Sequence, residues 1–541
     1  MKLTAAGAAL LVLGTAFLTG NAAAKTQAAQ EQATQSFTGE TGILLNKRPE
    51  PKRTAQEASF TAPGKFRASG AAGNAAIVPD GATAGVAWQL PGYPADGYNL
   101  DSFLPPASTQ KVITALVAAS VLGGDYRYKT ELWLDERRIS GNTLNGDIII
   151  RFSGAPDLTI DTYRGLLRSI KSRWGVSRVR GSVILDTSAF SGYERASGWI
   201  WDDLPICFTA PSSSIVLNHN CFNTVLADNG SGIAAVPEKA KLPGVKVESH
   251  ALVLTSKQKA EENCLLEGIP SFDNKYVMYG CVAKNSANKA GEWPMSFAVL
   301  DPEKYGTEIT ASILESLGIS SEAVYYSTHP SYEKTAFAGA VDSVQVSVLI
   351  RHILLVSDNL YADILAKTAA RFTKRGPTSY YNATSFIKSF LRKKVGIELT
   401  GMRLMDGNGL SSYNLITPRQ MLKILTYIRD HDSELHIVNS LPRSAYTGTL
   451  RGRGSVVQGV LKGNVRAKTG TIANVSNLAG FVVDQNGELV PFVIYNNGLT
   501  YAKNNGSDGW RGRIMKQRND FEKSILEDLY YGRRPSVRQK N

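Results

Sequence analysis

Three short clusters of side chains in this sequence could carry out acyl transfer. Ser108-Thr-Gln-Lys111 places a hydroxyl and an amine three residues apart. On a helix that spacing puts both on one face, with Cβ atoms ~5–6 Å apart. A neutral amine there could take the hydroxyl proton and turn the serine into a nucleophile. The spacing alone says little, because Ser256-Lys259, Ser286-Lys289, Ser331-Lys334 and Ser385-Lys388 repeat it. Context sets the first apart. It opens an apolar helical pattern and is followed by Ser357-Asp358-Asn359 and then by Lys468-Thr469-Gly470, each occurring once.

Each part has a physical task in such a site. Lys468 would bind a terminal carboxylate of the substrate and, as a second cation, help keep Lys111 neutral at working pH. Thr469 would hydrogen-bond the same carboxylate, and Gly470 would leave room for a substrate backbone along the strand edge. Ser357 is placed to relay a proton to the leaving amine and Asn359 to hold the substrate amide. The backbone N–H groups of Ser108 and Thr471 would form an oxyanion hole, where one donor is worth ~3 kcal/mol.

The elements that must position these groups are legible. After Pro105-Pro106, the segment 108–122 carries Val112, Ile113, Leu116 and Ala119 at helical spacing and stops at Gly123-Gly124, which predicts a buried helix with Ser108 at its start. A second helical pattern runs over 344–356, pauses at Ser357-Asp358-Asn359 and resumes through Leu360, Ile364 and Leu365. Segments 463–471, 478–484 and 488–495 read as strands, the last two joined by the hairpin chemistry of Gln485-Asn486-Gly487. Thr83 to Leu90 reads as the first strand. Phe521, Ile525 and Leu529 give the helix 521–531 one apolar face for packing on the sheet. Arg533, Arg534, Arg538 and Lys540 read as a solvated basic tail.

Between about Glu131 and Lys334 the texture changes to short strand-like pieces containing all four cysteines. The predicted organisation is an export signal over 1–24, a flexible tether over 25–82, a catalytic domain built from 83–131 and 334–541, and inserted β-rich domains over 132–333. The signal rests on Lys2, the short apolar run Ala5–Leu18 and the small residues Ala22-Ala23-Ala24, a run too short for a good membrane span. The cysteines fall in two local pairs. Three connectivities are possible, and the loop sizes favour Cys207 with Cys221 and Cys264 with Cys281, each bridge contributing on the order of 3 kcal/mol in the chain-entropy model.

With 541 residues, 43% hydrophobic and 20% charged, the chain can build more than one core and is neither disordered nor membrane-embedded by composition. The net charge of +13 suits anionic surroundings, but it is dispersed and the chain reads as exported, which argues against nucleic acid. His219, His250, His329, His352, His431 and His436 lack H-E-x-x-H or comparable spacing, so no metal and no cofactor are expected.

The order SxxK, SxN, KTG resembles the active-site serine penicillin-recognising enzymes. The segments PPASTQKVITAL, WDDLPICFTAP, SDNLYADIL, DGNGLS and RAKTGT resemble more narrowly the class C low-molecular-mass penicillin-binding proteins, the penicillin-binding protein 4 (DacB-type) D-Ala-D-Ala carboxypeptidase/endopeptidases. The likeness covers roughly Ala82 to Tyr531. It implies an α/β (α+β) transpeptidase-like domain, an antiparallel sheet flanked by helices, interrupted by β-rich insertions. It also implies peptidoglycan stem peptides as substrate, β-lactams as covalent inhibitors, a periplasmic location and at most peripheral membrane contact. In such relatives an Asp and a Phe that match Asp203 and Phe208 surround the diamino acid side chain of the substrate. The arginine and glutamine that complete the pocket there are Ser412 and Ala473 here, which leaves side-chain recognition open. A β-lactamase would share all three motifs, but it needs a deacylation base that the sequence does not place, and the long insert disfavours it. A non-catalytic cell-wall binder would have no need of Ser108, Lys111, Ser357, Asn359 and Lys468 together.

Overall fold

The computed structural model describes residues 75–271, 273–374, 376–499 and 509–539. The signal expected at 1–24, and the tether as far as residue 74, lie outside them. The catalytic part is built on a five-stranded sheet in the order Val465–Ile472, Val475–Val483, Leu489–Asn497, Thr83–Trp88, Asp96–Tyr98, with every neighbour antiparallel. The middle strands are buried on both faces, so they read as continuous apolar runs instead of alternating ones. Val86, Val465, Leu478, Val482, Phe492 and Ile494 point to the side covered by the helix Gly509–Tyr530, which contributes Ile514, Phe521, Ile525, Leu526 and Leu529. Ala87, Ala479, Phe481, Val493 and Tyr495 point to the opposite side, into the larger core with the helices Lys111–Leu122 and Pro418–Asp430. The strand Val465–Ile472 is left as an edge.

Folded structure starts earlier than Thr83. Ala76–Ile77 pairs in parallel with Val537–Arg538, so two segments expected to be solvated close on each other. The basic tail is correspondingly engaged: Arg533 pairs with Asp528 at 3.1 Å, and Arg534 pairs with Asp96. The terminal helix also begins well ahead of Phe521, its first turns being too polar to show an apolar stripe.

A five-stranded sheet lies across both expected domain boundaries, in the order Ala323–Ser327, Ser182–Asp186, Ile148–Arg151, Lys129–Leu134, Ala336–Asp342. Its first three strands are parallel. Parallel neighbours need crossovers, and the helices Ile160–Trp174 and Pro302–Ser316 supply them. The remainder of the insert is mainly β, with a short helix, Ser256–Glu261. There, Cys221–Asp228 pairs with Glu292–Ala298 in a third five-stranded sheet, beside a three-stranded sheet. Both expected disulfides are formed, Cys207–Cys221 and Cys264–Cys281.

Candidate active site

The nucleophile candidate sits on a short 3-10 turn, Ala107–Gln110, that runs into the helix Lys111–Leu122. The turn is held at its entry. Asn477 donates to the Pro105 carbonyl at 2.8 Å, and Thr109 Oγ1 donates to the Pro106 carbonyl at 2.7 Å. Ala107 takes φ = +48°, a conformation unfavourable for a residue with a Cβ and characteristic of sites whose surroundings over-determine the backbone.

One helical turn on, Lys111 is completely buried. Its Nζ lies 2.9 Å from Ser108 Oγ, 2.6 Å from Asn359 Oδ1 and 2.7 Å from the Asn408 carbonyl. Burial pulls this lysine down to about 8, against the opposing fields of Asp363, Asp406 and Asp358. It therefore reaches the neutral form near physiological pH, whereas an ordinary lysine does not.

The Ser357-Asp358-Asn359 triplet spans the junction of the helices Val346–Leu355 and Asn359–Thr373, with Asn359 opening the second, as the interrupted apolar pattern predicts. Ser357 has φ = +68° and accepts a hydrogen bond from Lys468 Nζ at 2.8 Å. Lys468, on the edge strand, is buried and held well below its ordinary value, first by burial and then by the charges of Lys111 and Arg453. The sequence points to the field of Lys468 as what tunes Lys111. In the structure, burial is the main cause for both lysines, and the mutual repulsion falls on Lys468. A second buried ammonium nearby adds to the cost of keeping both amines charged.

Gly470 is needed for a reason the sequence does not reveal. A Cβ there would lie 2.7 Å from the Pro106 carbonyl and 3.2 Å from the Ala107 Cβ. The glycine lets the edge strand rest on the nucleophile turn. Gly409 does the same from the other side, since its Cβ would overlap the Ala107 carbonyl at 1.9 Å. The turn carrying Ser108 is thus clasped between two backbones. Thr469 Oγ1 donates to Thr449 Oγ1 at 2.8 Å, and Thr471 is exposed.

Several residues at the site are not singled out by their sequence pattern. Asp406 and Asn408 belong to the DGNGLS segment, and Asp406 anchors the loop by accepting from the backbones of Gly409 and Ser411 and from Asn414. Buried Asp363 accepts from Gly407 N and Asn408 Nδ2, both at 2.7 Å, and so fixes the carbonyl that Lys111 meets. Asp406 in the polar DGNGLS run and Asp363 as a lone acid within an apolar helical run are the available signal; their partners are distant in sequence.

Phe208 reaches the site through its backbone: Asn359 Nδ2 donates to its carbonyl at 2.8 Å. Asp203 is in the preceding turn, where its own carbonyl accepts from Thr209 Oγ1 at 2.8 Å. Its carboxyl is raised by burial and by neighbouring Asp202. The Ser412 hydroxyl donates to the Gly198 carbonyl at 3.0 Å. Trp199 Nε1 likewise donates to Asp406 Oδ2 at 3.0 Å, so the 197–209 segment is tied to the loop beside the nucleophile. Ala473 is exposed at the turn after the edge strand.

A family model described as the D-Ala-D-Ala carboxypeptidase 3 (S13) family matches residues 79–514. The D-alanyl-D-alanine carboxypeptidase DacB of Haemophilus influenzae is 33% identical over 435 residues, 80% of this chain and 88% of that protein. A D-alanyl-D-alanine carboxypeptidase of an Actinomadura species is 26% identical over 412 residues, 73% of each chain. The crystal structure of penicillin-binding protein 4 from Haemophilus influenzae superposes with a TM-score of 0.75 at 31% identity, covering 84% of this chain and 98% of that one. The same protein complexed with a β-lactam gives a TM-score of 0.73 at 30% identity.

Proposed function

This chain belongs to the D-Ala-D-Ala carboxypeptidase 3 (S13) family, and from that premise we propose how its own residues carry out the reaction. It is a serine-type peptidase of the penicillin-binding kind. Lys111 takes the proton of Ser108, and Oγ attacks the carbonyl between the two terminal D-alanines of a peptidoglycan stem peptide. The N–H groups of Ser108 and Thr471 receive the developing oxyanion. Ser357, fed by Lys468, returns a proton to the departing D-alanine amine, while Lys468 and Thr469 hold its carboxylate and Asn359 the peptide amide. Water then attacks the acyl carbonyl and releases the acid, the proton held on Lys111 returning to Ser108 Oγ and the proton lost by the water restoring the Lys468–Ser357 pair. A β-lactam enters the same path and remains on Ser108, as its strained amide stands in for the D-Ala-D-Ala bond. Cross-links, in which a D-alanine carbonyl is joined to the side-chain amine of a neighbouring diamino acid, are a second substrate class, which adds D,D-endopeptidase action.

One observation carries this reading above the others: a fully buried lysine, brought down to about 8, with its Nζ 2.9 Å from the hydroxyl of a partly exposed serine. Two local disulfides and the 1–24 segment support export to an oxidising compartment, the periplasm. Among the described residues no helix is long and apolar enough to cross a membrane. Asp203 and Phe208 are the proposed contacts for the diamino acid side chain. Incubation with benzylpenicillin, intact-mass measurement and peptide mapping test the assignment. One penicilloyl adduct on Ser108 is expected, and Ser108→Ala should abolish it without loss of thermal stability. A label on a different serine would overturn it.

A further inference from the structure

Asp358 is the member of the Ser357-Asp358-Asn359 triplet that has no part in the chemistry above, yet its carboxylate is buried and fully engaged. Oδ1 accepts from Tyr361 N at 3.0 Å and so caps the following helix. Oδ2 accepts from two imidazoles, His219 Nε2 at 2.7 Å and His352 Nε2 at 3.1 Å. An ionised carboxylate offers only acceptors, so both rings must present a proton at Nε2. The Tyr361 ring packs on both, with centroids 5.5 and 4.7 Å away. Burial alone would depress His219, but the charge and hydrogen bond of Asp358 outweigh it and leave the imidazole above its ordinary value.

His352 is local to the site, on the helix just ahead of the triplet. His219 arrives from the inserted region, on the short turn Asn218–Asn220 next to Cys221. Cys221 is bridged to Cys207, whose neighbour Phe208 receives the Asn359 amide. The two ends of one disulfide-closed loop therefore grip two consecutive residues of the triplet. The third, Ser357, is held at φ = +68°, a conformation that persists in a residue with a Cβ only when its surroundings over-determine it.

We propose that His219 is a positioning residue for acylation: acting from the inserted region through Asp358, it keeps Ser357 at Lys468 and Asn359 at Lys111. The insert is then part of the catalytic apparatus as well as a wall of the substrate cleft. The inference rests on Ser108 as the nucleophile, and the test separates the two.

Rapid-mixing acylation by a fluorescent penicillin gives the limiting rate and the half-saturating concentration separately. The proteins compared are the wild type, His219→Ala, His219→Gln and, as a control from the same region, His250→Ala. His219→Ala should slow the limiting rate at least tenfold while half-saturation moves less than threefold. His219→Gln retains an N–H donor and should recover the rate to within threefold of wild type, as should His250→Ala. If His219→Ala does not fold, His219→Phe, which keeps a ring against Tyr361 but has no donor, carries the same expectation. Wild-type rates in the donor-less variant, or a Gln variant as slow as it, would overturn the positioning role. A wild-type protein that is not labelled at Ser108 would instead overturn the nucleophile assignment.

Discussion

The Nζ of Lys468 lies 2.8 Å from the Oγ of Ser357, although 111 positions separate them. The buried amine of Lys468 and the hydroxyl of Ser357 therefore act as one unit, through which a proton can pass between lysine and serine. Lys468→Met and Ser357→Ala should each lower kcat/KM on a D-Ala-D-Ala peptide by ~10²–10³-fold, or about 3–4 kcal/mol. The double variant should be little worse than the poorer single one, because groups acting through one contact are not additive. Steady-state kinetics of the four proteins decide this, and losses that simply multiply would contradict it.

Lys111 controls the pH profile. It must be neutral to accept the Ser108 proton, and burial brings it to about 8. The second-order rate of acylation by benzylpenicillin should rise about tenfold per pH unit below that value and level off above it. Stability carries the same signature with a definite sign. The folded value is lower than the ordinary 10.5, so between the two the unfolded chain binds more protons, and stability rises with pH from about 8 to about 10.5. An acylation rate that is flat or falling from pH 6 to 8 would rule out Lys111 as the base.

Glu522 should be a strong point of the sheet's outer face. It is fully buried and accepts from Arg453 Nε at 2.9 Å and Ser455 Oγ at 2.6 Å, with Arg518 3.8 Å away. Burial alone would raise its carboxyl, but Arg453 and Arg518 outweigh that and hold it below 4.5. Its contribution is complete above about 4.5 and is lost as pH falls through the lower folded value. Glu522→Gln removes the buried charge that Arg453 grips directly and Arg518 faces, and should cost about 3–5 kcal/mol near neutrality. Urea denaturation of both proteins at pH 7 measures it, and a difference below about 1 kcal/mol would show that the arginines find other partners.

Specificity is expected to be broad at the diamino acid. The Ser412 hydroxyl is turned to the Gly198 carbonyl and cannot replace an arginine that pairs with a carboxylate, a contact worth ~1.5–3 kcal/mol. If Asp203 holds the side-chain ammonium, peptides ending in Lys-D-Ala-D-Ala and in meso-diaminopimelate-D-Ala-D-Ala should show comparable kcat/KM, and Asp203→Ala should impair both. A preference above about thirtyfold for the diaminopimelate peptide, ~2 kcal/mol of discrimination, would mean that another group supplies the missing contact.

Pairs close in sequence are legible from residue types and spacing alone. Ser108 and Lys111 meet because three residues make nearly one turn of helix, and the apolar spacing from Val112 to Ala119 announces that helix. The pause at Ser357-Asp358-Asn359 marks a helix junction in the same local way, and Gln485-Asn486-Gly487 marks its hairpin. The segment likeness extends this to the fold class, while the two cysteine pairs are legible from their loop sizes. Periodicity cannot show the crossover helices of the inserted sheet as part of one layer, nor that Ala76–Ile77 closes on Val537–Arg538, because strand pairing between chain ends leaves no local pattern.

What only the tertiary structure decided is which distant groups meet and in what dielectric. Lys111 with Asn359 and Asn408, Lys468 with Ser357, and His219 with Asp358 are contacts across more than a hundred residues. The tuning of Lys111 belongs to the same class. Sequence supplies a neighbouring lysine as the obvious cause, whereas the cause in the folded protein is mainly the removal of water, which depends on everything packed around the amine. Gly470 makes the same point in steric terms: its type is readable as a need for space, but that the space is taken by the Pro106 carbonyl of the nucleophile turn follows only from the packing of a strand edge against a helix start.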